Sequence, residues 1–146
     1  MKELNIYVDM DGVLANFNAE PNAVERFKNE LGFFERLKPI QSNVNFVNQL
    51  IENNFNVYIL SASPNDNADN DKIKWLNKFL PHLQPQNVII IRNGQNKADF
   101  VVTKENNILF DDYGKNCRDF LNRGYMSCQV KKYLTIKKLL RRVIEI

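Results

Sequence analysis

Two aspartates one residue apart, Asp9 and Asp11, followed at once by Gly12, are the residues of this chain best placed to do chemistry. At that spacing the first acid continues the strand that delivers it, while the second sits on the departing loop and leans over the same point. One can attack while the other moves a proton. Asp-Gly is also a common turn dipeptide that needs no chemistry, so the pair carries weight only if other residues join it. In chain order they are Ser61, ahead of Ala62-Ser63-Pro64; Lys97, in Lys-Ala-Asp-Phe; and the acidic pair Asp111 and Asp112, ahead of Tyr113-Gly114. Each has a plainer alternative. Ser61 could cap a turn, and Lys104 lies closer to the acidic pair and competes with Lys97. Asp112 could act on a metal shell only through water, and Asn116 could position the loop that follows.

The elements that must position these residues follow from apolar patterning. Leu4, Ile6, Tyr7 and Val8 make a short strand ending at Asp9. Val57 to Leu60 makes a second strand that ends at Ser61, Val88 to Ile91 a third ahead of the turn Arg92-Asn93-Gly94, and Ile108 to Phe110 a fourth that delivers Asp111. Between the first two lies a helical insert at about 18–40, AVERFKNELGFFERL, with Pro21 near its start, Gly32 as an interruption and Pro39 closing it. Ser42 is the expected N-cap of a helix from Asn43 to about Asn53, striped by Val44, Val47, Leu50 and Ile51. Ile73, Trp75, Leu76 and Phe79 mark another helix before Pro81, with Asp66, Asp69 and Asp71 as capping or surface groups. A short helix from about Lys115 to Leu121, a strand from Tyr125 to about Val130 and a terminal helix complete the alternation. Such alternation predicts an α/β fold with a parallel sheet covered on both faces and its site at the carboxyl ends of the strands.

At 146 residues the chain is expected to be one domain, 1–146, and its 44% hydrophobic and 25% charged content argues against disorder. No apolar run approaches a membrane span, and Met1-Lys2-Glu3 leads into a strand without an intervening signal segment. The expected setting is cytoplasmic, with no membrane partner. Cys117 and Cys128 fit no metal-ligand spacing and read as reduced thiols, and His82 reads as a surface residue. A net charge of +3 does not by itself argue for nucleic acid. The cations are nevertheless crowded at Lys131, Lys132, Lys137, Lys138, Arg141 and Arg142, amid Ile136, Leu139, Leu140 and Val143 at helical spacing. The first reading is a terminal helix with a solvated basic face; the second is a patch that steers nucleic acid or phosphate.

Taken together in this order, Asp9 and Asp11, Ser61, Lys97, and Asp111 with Asp112 resemble the four motifs of the haloacid dehalogenase (HAD) superfamily of phosphotransferases. The opening DMDGVLANF looks most like the 5′(3′)-deoxyribonucleotidase branch. The resemblance implies a Rossmann-like core with a small helical cap and Mg²⁺-dependent hydrolysis of a phosphate monoester, a nucleoside or deoxynucleoside monophosphate first. It makes Asp9 the nucleophile that forms an aspartyl-phosphate and Asp11 the group that protonates the leaving oxygen and then activates water. Ser61 and Lys97 would hold the phosphoryl group, and Asp9, the carbonyl of Asp11, Asp111 and Asp112 would hold the metal. Hard carboxylate oxygens suit that ion, which screens an attacking carboxylate from a dianionic phosphate. Two departures bear on the substrate: Asn16 stands where the branch usually has Asp, and the segment between Asp11 and Ser61 is shorter than the branch's cap. Phe17, with Phe33 and Phe34, is the candidate for stacking on a base or for packing. So small a cap would leave the site open to larger substrates, such as a phosphorylated nucleic-acid end or another phosphometabolite. The rival outside catalysis is a silent binding module.

Overall fold

A computed structural model describes residues 3–144 of the chain; Met1, Lys2, Glu145 and Ile146, which bound the expected single domain, lie outside the described residues. Five parallel strands form one sheet, β1 (Asn5–Val8), β2 (Asn56–Ser63), β3 (Val88–Arg92), β4 (Asn107–Asp111) and β5 (Met126–Gln129), in the order β3-β2-β1-β4-β5. Strand β1 is central, with Val8 paired to Ile59 on one side and Phe110 on the other. The chain runs outward from β1 to β3, then returns to its other flank for β4 and β5. That reversal opens a crevice at the carboxyl ends of β1 and β4, where α/β sheets place their sites.

Alternation along the strands decides which helix covers which face. Ile6, Val8, Ile59, Ile108 and Phe110 share a core with α2 (Gln41–Glu52), α3 (Asp66–Phe79) and α5 (Ile136–Arg141), through Val44, Val47, Trp75, Leu76, Leu139 and Leu140. Tyr7, Leu60 and Leu109 face the other way, against Phe120 of α4 (Gly114–Asn122) and Ala98. Among the described residues no helix is long and apolar enough to cross a membrane.

Three expectations about elements need correction. The insert is not one interrupted helix but a series of turns, with 3₁₀ segments at Phe17–Ala19 and Phe34–Arg36 and a single α-helical turn, α1 (Ala23–Arg26). Asn22 at φ 56° and Gly32 at φ 75° reverse the chain there, and the reversal lets Phe17, Phe27, Phe33 and Phe34 pack on one another. Packing four rings on one another, with Phe33 and Phe34 fully buried, outweighs helix propensity in so short a segment. Helix α2 begins at Gln41 with Ile40 as its N-cap and no side-chain cap bond, so Ser42 lies inside the first turn. Strand β2 continues past Leu60 to Ser63 because Ser61, Ala62 and Ser63 all pair with β3, so Ser61 is within the strand rather than after it.

Asp66 and Asp69 open α3 and pair with Arg92, while Asn65 caps it by accepting from the Ala68 amide at 2.9 Å. Asp71 instead accepts the Gly32 amide at 2.8 Å and fastens the insert to α3. His82 is exposed beside a cleft of about 550 Å³ at the amino ends of β1 and β2, on the opposite edge from the carboxylates. Both cysteines are free; burial first, and the Asp111 charge second, push the Cys117 thiol up to about 11, which leaves it unreactive.

Candidate active site

Asp9 is placed by the sheet itself. Its amide donates to Phe110 O at 2.9 Å, extending the ladder with β4 by one step, and its Oδ1 accepts the Met10 amide at 2.9 Å. The chain then closes tightly, the amides of Val13, Leu14 and Ala15 converging on Met10 O. Gly12 sits in this turn at φ 81°, and a Cβ there would stand 2.1 Å from Asp112 Oδ2. The absence of a side chain thus makes room for the Asp112 carboxylate against the backbone of the Asp-x-Asp turn. Gly12→Ala is expected to displace Asp112 by about 1 Å or more and to lower kcat/KM roughly 10²-fold. Steady-state kinetics beside a Mg²⁺ titration would check this, and unchanged values for both would refute it.

Lys97 opens a 3₁₀ turn, Lys97–Phe100, and is 2% exposed. Its Nζ donates to Asp9 Oδ1 at 2.9 Å and to Asp111 Oδ2 at 2.8 Å. Burial alone would lower its pKa, but the charges of Asp9 and Asp111 outweigh that and raise it, so the ammonium is retained. Asp111, fully buried, also accepts from Asn116 Nδ2 at 3.0 Å and from the Tyr113 amide at 2.9 Å. Lys104 is exposed in the loop ahead of β4, at the amino end of the sheet, and takes no part in this cluster.

Asp9, Asp111 and Asp112 each offer a carboxylate oxygen, all within 4.8 Å of one another. Three carboxylates facing the one Lys97 ammonium leave two negative charges unmatched. The strain shows in the titration of the acids. Burial, then the charge of Asp111, hold the Asp9 carboxyl well above the usual carboxylate range, against the pull of Lys97. Asp112 is raised for the same first two reasons. An all-oxygen donor set with a deficit of two positive charges fits a hard divalent cation such as Mg²⁺.

The structure adds a residue that sequence reading passed over. Lys72 of α3 is 0% exposed, and its Nζ donates to Asp11 Oδ2 at 2.8 Å, Ser61 Oγ at 2.8 Å and Ala62 O at 2.7 Å. All three donors are used, and Phe34 of the insert lies under the ammonium, 4.4 Å from ring centroid to Nζ. Two consequences follow for its partners. Ser61 Oγ accepts from the lysine, so its own hydrogen is left to donate, and Asp11 is gripped by one oxygen while Oδ1, buried, has no hydrogen-bond partner among the described residues. One signal was available: Lys72 falls on the stripe Ala68, Trp75 and Leu76, where α3 faces the core.

Phe17, half-buried, packs its ring among Phe27, Phe33 and Phe34 and is not among the residues that wall the cleft beside Asp112. The cleft beside the carboxylates, about 550 Å³, is walled instead by Gly12, Asn16, Asn18, Asp112, Lys131 and Thr135.

Compared with known proteins, residues 18–138 match the family described as 5′ nucleotidase, deoxy (Pyrimidine), cytosolic type C protein. The match begins beyond Asp9 and Asp11, so those two acids stand on the geometry above. No curated protein matches the sequence. Among solved structures, a chain of the Pnkp1/Rnl/Hen1 complex is similar, with a TM-score of 0.63, 16% identity, and 86% of this chain and 45% of that one covered. This chain therefore spans less than half the length of that one. An uncharacterized protein from Corynebacterium glutamicum is similar with a TM-score of 0.57 and 15% identity over 97% of this chain and 93% of that one. The HAD domain of the effector protein Lem4 from Legionella pneumophila has a TM-score of 0.57 and 16% identity over 97% and 94%. At these identities the likeness is one of fold, and it is the HAD fold.

Proposed function

The chain belongs to the cytosolic type C 5′-nucleotidase family of HAD phosphatases, and from that premise we propose that it is a Mg²⁺-dependent phosphomonoesterase acting through Asp9 on the phosphate monoester of a nucleotide. The observation that carries this reading is the pairing of two unlike acids at the end of β1. Asp9 stands in a carboxylate cluster short of two positive charges, and Asp11 is held apart from that cluster by its own lysine.

The metal would be held by oxygens of Asp9, Asp111 and Asp112 with the Asp11 carbonyl, and it supplies the charge that lets a carboxylate approach a phosphate dianion. The chain's own groups do the rest. Lys97 and the Met10 amide fix Asp9 by Oδ1, leaving its second oxygen to attack phosphorus. As the Asp9 oxygen–phosphorus bond forms and the bond to the leaving oxygen breaks, that oxygen takes the proton which the Asp11 carboxyl acquires as substrate binds, with Lys72 holding Asp11 by Oδ2. The Ser61 hydroxyl donates to a phosphoryl oxygen. Asp11, now ionised, takes a proton from water, whose oxygen attacks phosphorus and breaks the acyl-phosphate bond. One water is consumed, and an alcohol and inorganic phosphate leave.

The same proposal makes residues 1–146 one catalytic unit with the insert as a small cap. It also makes the protein cytoplasmic, a setting supported by the family's cytosolic description and by the free cysteines. The test is phosphate release from nucleoside 5′- and 3′-monophosphates, with an aryl phosphate alongside. Turnover is expected with Mg²⁺ and not with a chelator, and Mg²⁺ at a hundredfold excess over Kd is expected to add about 2.7 kcal/mol of stability. Turnover unaffected by the chelator, or no turnover of any phosphate, would overturn the reading.

A further inference from the structure

Taking the phosphatase reading above as its basis, we propose that the nucleotide this site takes is the phosphorylated terminal residue of a single-stranded nucleic acid, with the next phosphate of the strand on Lys131 and Lys132 and an unstacked base on Tyr133.

A leaving group can pass into the cleft beside Asp112, which Gly12 of the Asp-x-Asp turn also lines, whereas Lys97 and Asn116 occupy other flanks of the carboxylate cluster. Its walls combine the aliphatic Ala19, Ile40 and Val130 with the amides and hydroxyls of Asn16, Asn18, Ser42 and Thr135, and its charged groups are Asp112 on the cluster side and Lys131 and Lys132. No aromatic ring lines it, because Phe17 is spent on the insert's own cluster. A nucleoside released from a monophosphate would thus find no stacking surface inside, whereas a leaving group with a further negative charge would find two cations.

Those cations are unmatched. Between Asp119 and Glu145 the sequence contains no acid. Among the described residues neither Lys131 nor Lys132 forms an ion pair, while Arg26, Arg36, Arg92, Lys115 and Arg123 all do. The pair is also held in place. The Val130 amide donates to Asp111 O at 2.9 Å, so the chain enters the turn directly from the carboxylate cluster. Lys131 and Leu134 close the turn through reciprocal backbone bonds, and Lys138 Nζ donates to Tyr133 O at 3.2 Å. Asn43 completes the support, donating to Val13 O at 2.8 Å and accepting the Ile136 amide at 3.1 Å, which ties the Asp-x-Asp turn to the start of α5.

At the tip of this fixed turn Tyr133 is 78% exposed, its ring 5.4 Å from Lys132 Nζ. An exposed ring with one ammonium over it and a second lysine without an ion pair next in the chain is a combination that suits single strands, the ring stacking by its other face on a base and the cations tracking the backbone. Stacking needs an unpaired base, which favours a single strand over a duplex. The reaction stays balanced as before: one water is consumed, and inorganic phosphate and a strand ending in a free hydroxyl leave.

The experiment compares kcat/KM for short single-stranded oligonucleotides bearing a terminal 5′- or 3′-phosphate with the matching nucleoside monophosphates and an aryl phosphate, between 50 and 200 mM salt. One oligonucleotide arm is expected to exceed its mononucleotide at least tenfold at low salt. Its log kcat/KM should fall with log salt more steeply than the mononucleotide's, by a slope of about −0.7 for the one further phosphate of a single strand. In the Lys131→Ala/Lys132→Ala double variant the oligonucleotide-to-mononucleotide ratio is expected to fall toward one, and Tyr133→Ala should lower it as well. Equal or slower turnover of both oligonucleotides, or a preference untouched by the double variant, overturns the proposal while continued aryl phosphate turnover leaves the phosphatase reading standing. Failure of the aryl phosphate too would overturn both.

Discussion

Asp9→Asn is expected to lower phosphate release by roughly 10⁴-fold or more while leaving the protein at least as stable as the wild type. The loss follows from removing the atom that attacks, which other groups in an active site do not replace. The stability follows from a different property of the same side chain. Asparagine keeps an Oδ1 for Lys97 and the Met10 amide but removes one negative charge from a cluster that has too many. Burial, and then Asp111, raise the Asp9 carboxyl, so the folded protein holds that proton more tightly than the unfolded chain does. Without divalent metal, wild-type stability should fall as pH rises from the usual carboxylate range, near 4, through the raised folded-state value. The asparagine variant lacks this loss. Melting curves from pH 4 to 8 in a chelator would show the two proteins diverging as pH rises, with the variant higher. A variant that melts well below wild type at pH 7, or one that retains turnover, would contradict the role given to Asp9.

Lys72→Met is expected to lower both activity and stability, and to do so through Asp11. Methionine keeps most of the length that packs on Phe34, so the change isolates the charge. Breaking a buried ion pair costs about 3–5 kcal/mol when the partner is fully enclosed. The Asp11 side chain is 24% exposed, which reduces the expected cost to about 2–3 kcal/mol, or roughly 5–10 °C in Tm for a domain of this size. Turnover should fall about 10²-fold or more, because both the proton donor and Ser61 lose the group that fixes them. The diagnostic is the double variant Lys72→Met/Asp11→Asn. Removing the orphaned carboxylate should recover much of the lost stability and none of the activity, whereas simple addition of the two losses in Tm would show that Lys72 acts by packing alone.

What could be read from the sequence was what strands announce. Central strands buried on both faces are runs such as Ile6-Tyr7-Val8 and Ile108-Leu109-Phe110, and an acid directly after such a run stands out. That made Asp9 and Asp111 visible, and with them the order of the motifs and the parallel sheet. Lys72 was not visible because a lysine on a helix is ordinarily a solvated residue. Only its place on the same stripe as Trp75 sets it apart, and its acceptors at Asp11, Ser61 and Ala62 come from two other elements. The insert departs from its expected helix for a related reason. Its sequence carries helical propensity, but four phenylalanines within so short a span are satisfied by one another, a tertiary preference that no window of local pattern contains. Asn43, whose two bonds span the molecule from Val13 to Ile136, looked like one asparagine among many.

The central place of β1 has a consequence for how the molecule breathes. Its amides are bonded between two neighbours on either side, and Asp9 continues that pairing through Phe110. Protection against hydrogen exchange in β1 should therefore reflect unfolding of the whole sheet, while the exposed turns of the insert around Asn22 and Leu31, outside the buried Phe33 and Phe34, should exchange much sooner. On the proposed mechanism the attacking carboxylate thus sits in the last part of the molecule to melt, and loosening of the outer turns leaves the charge cluster its shape.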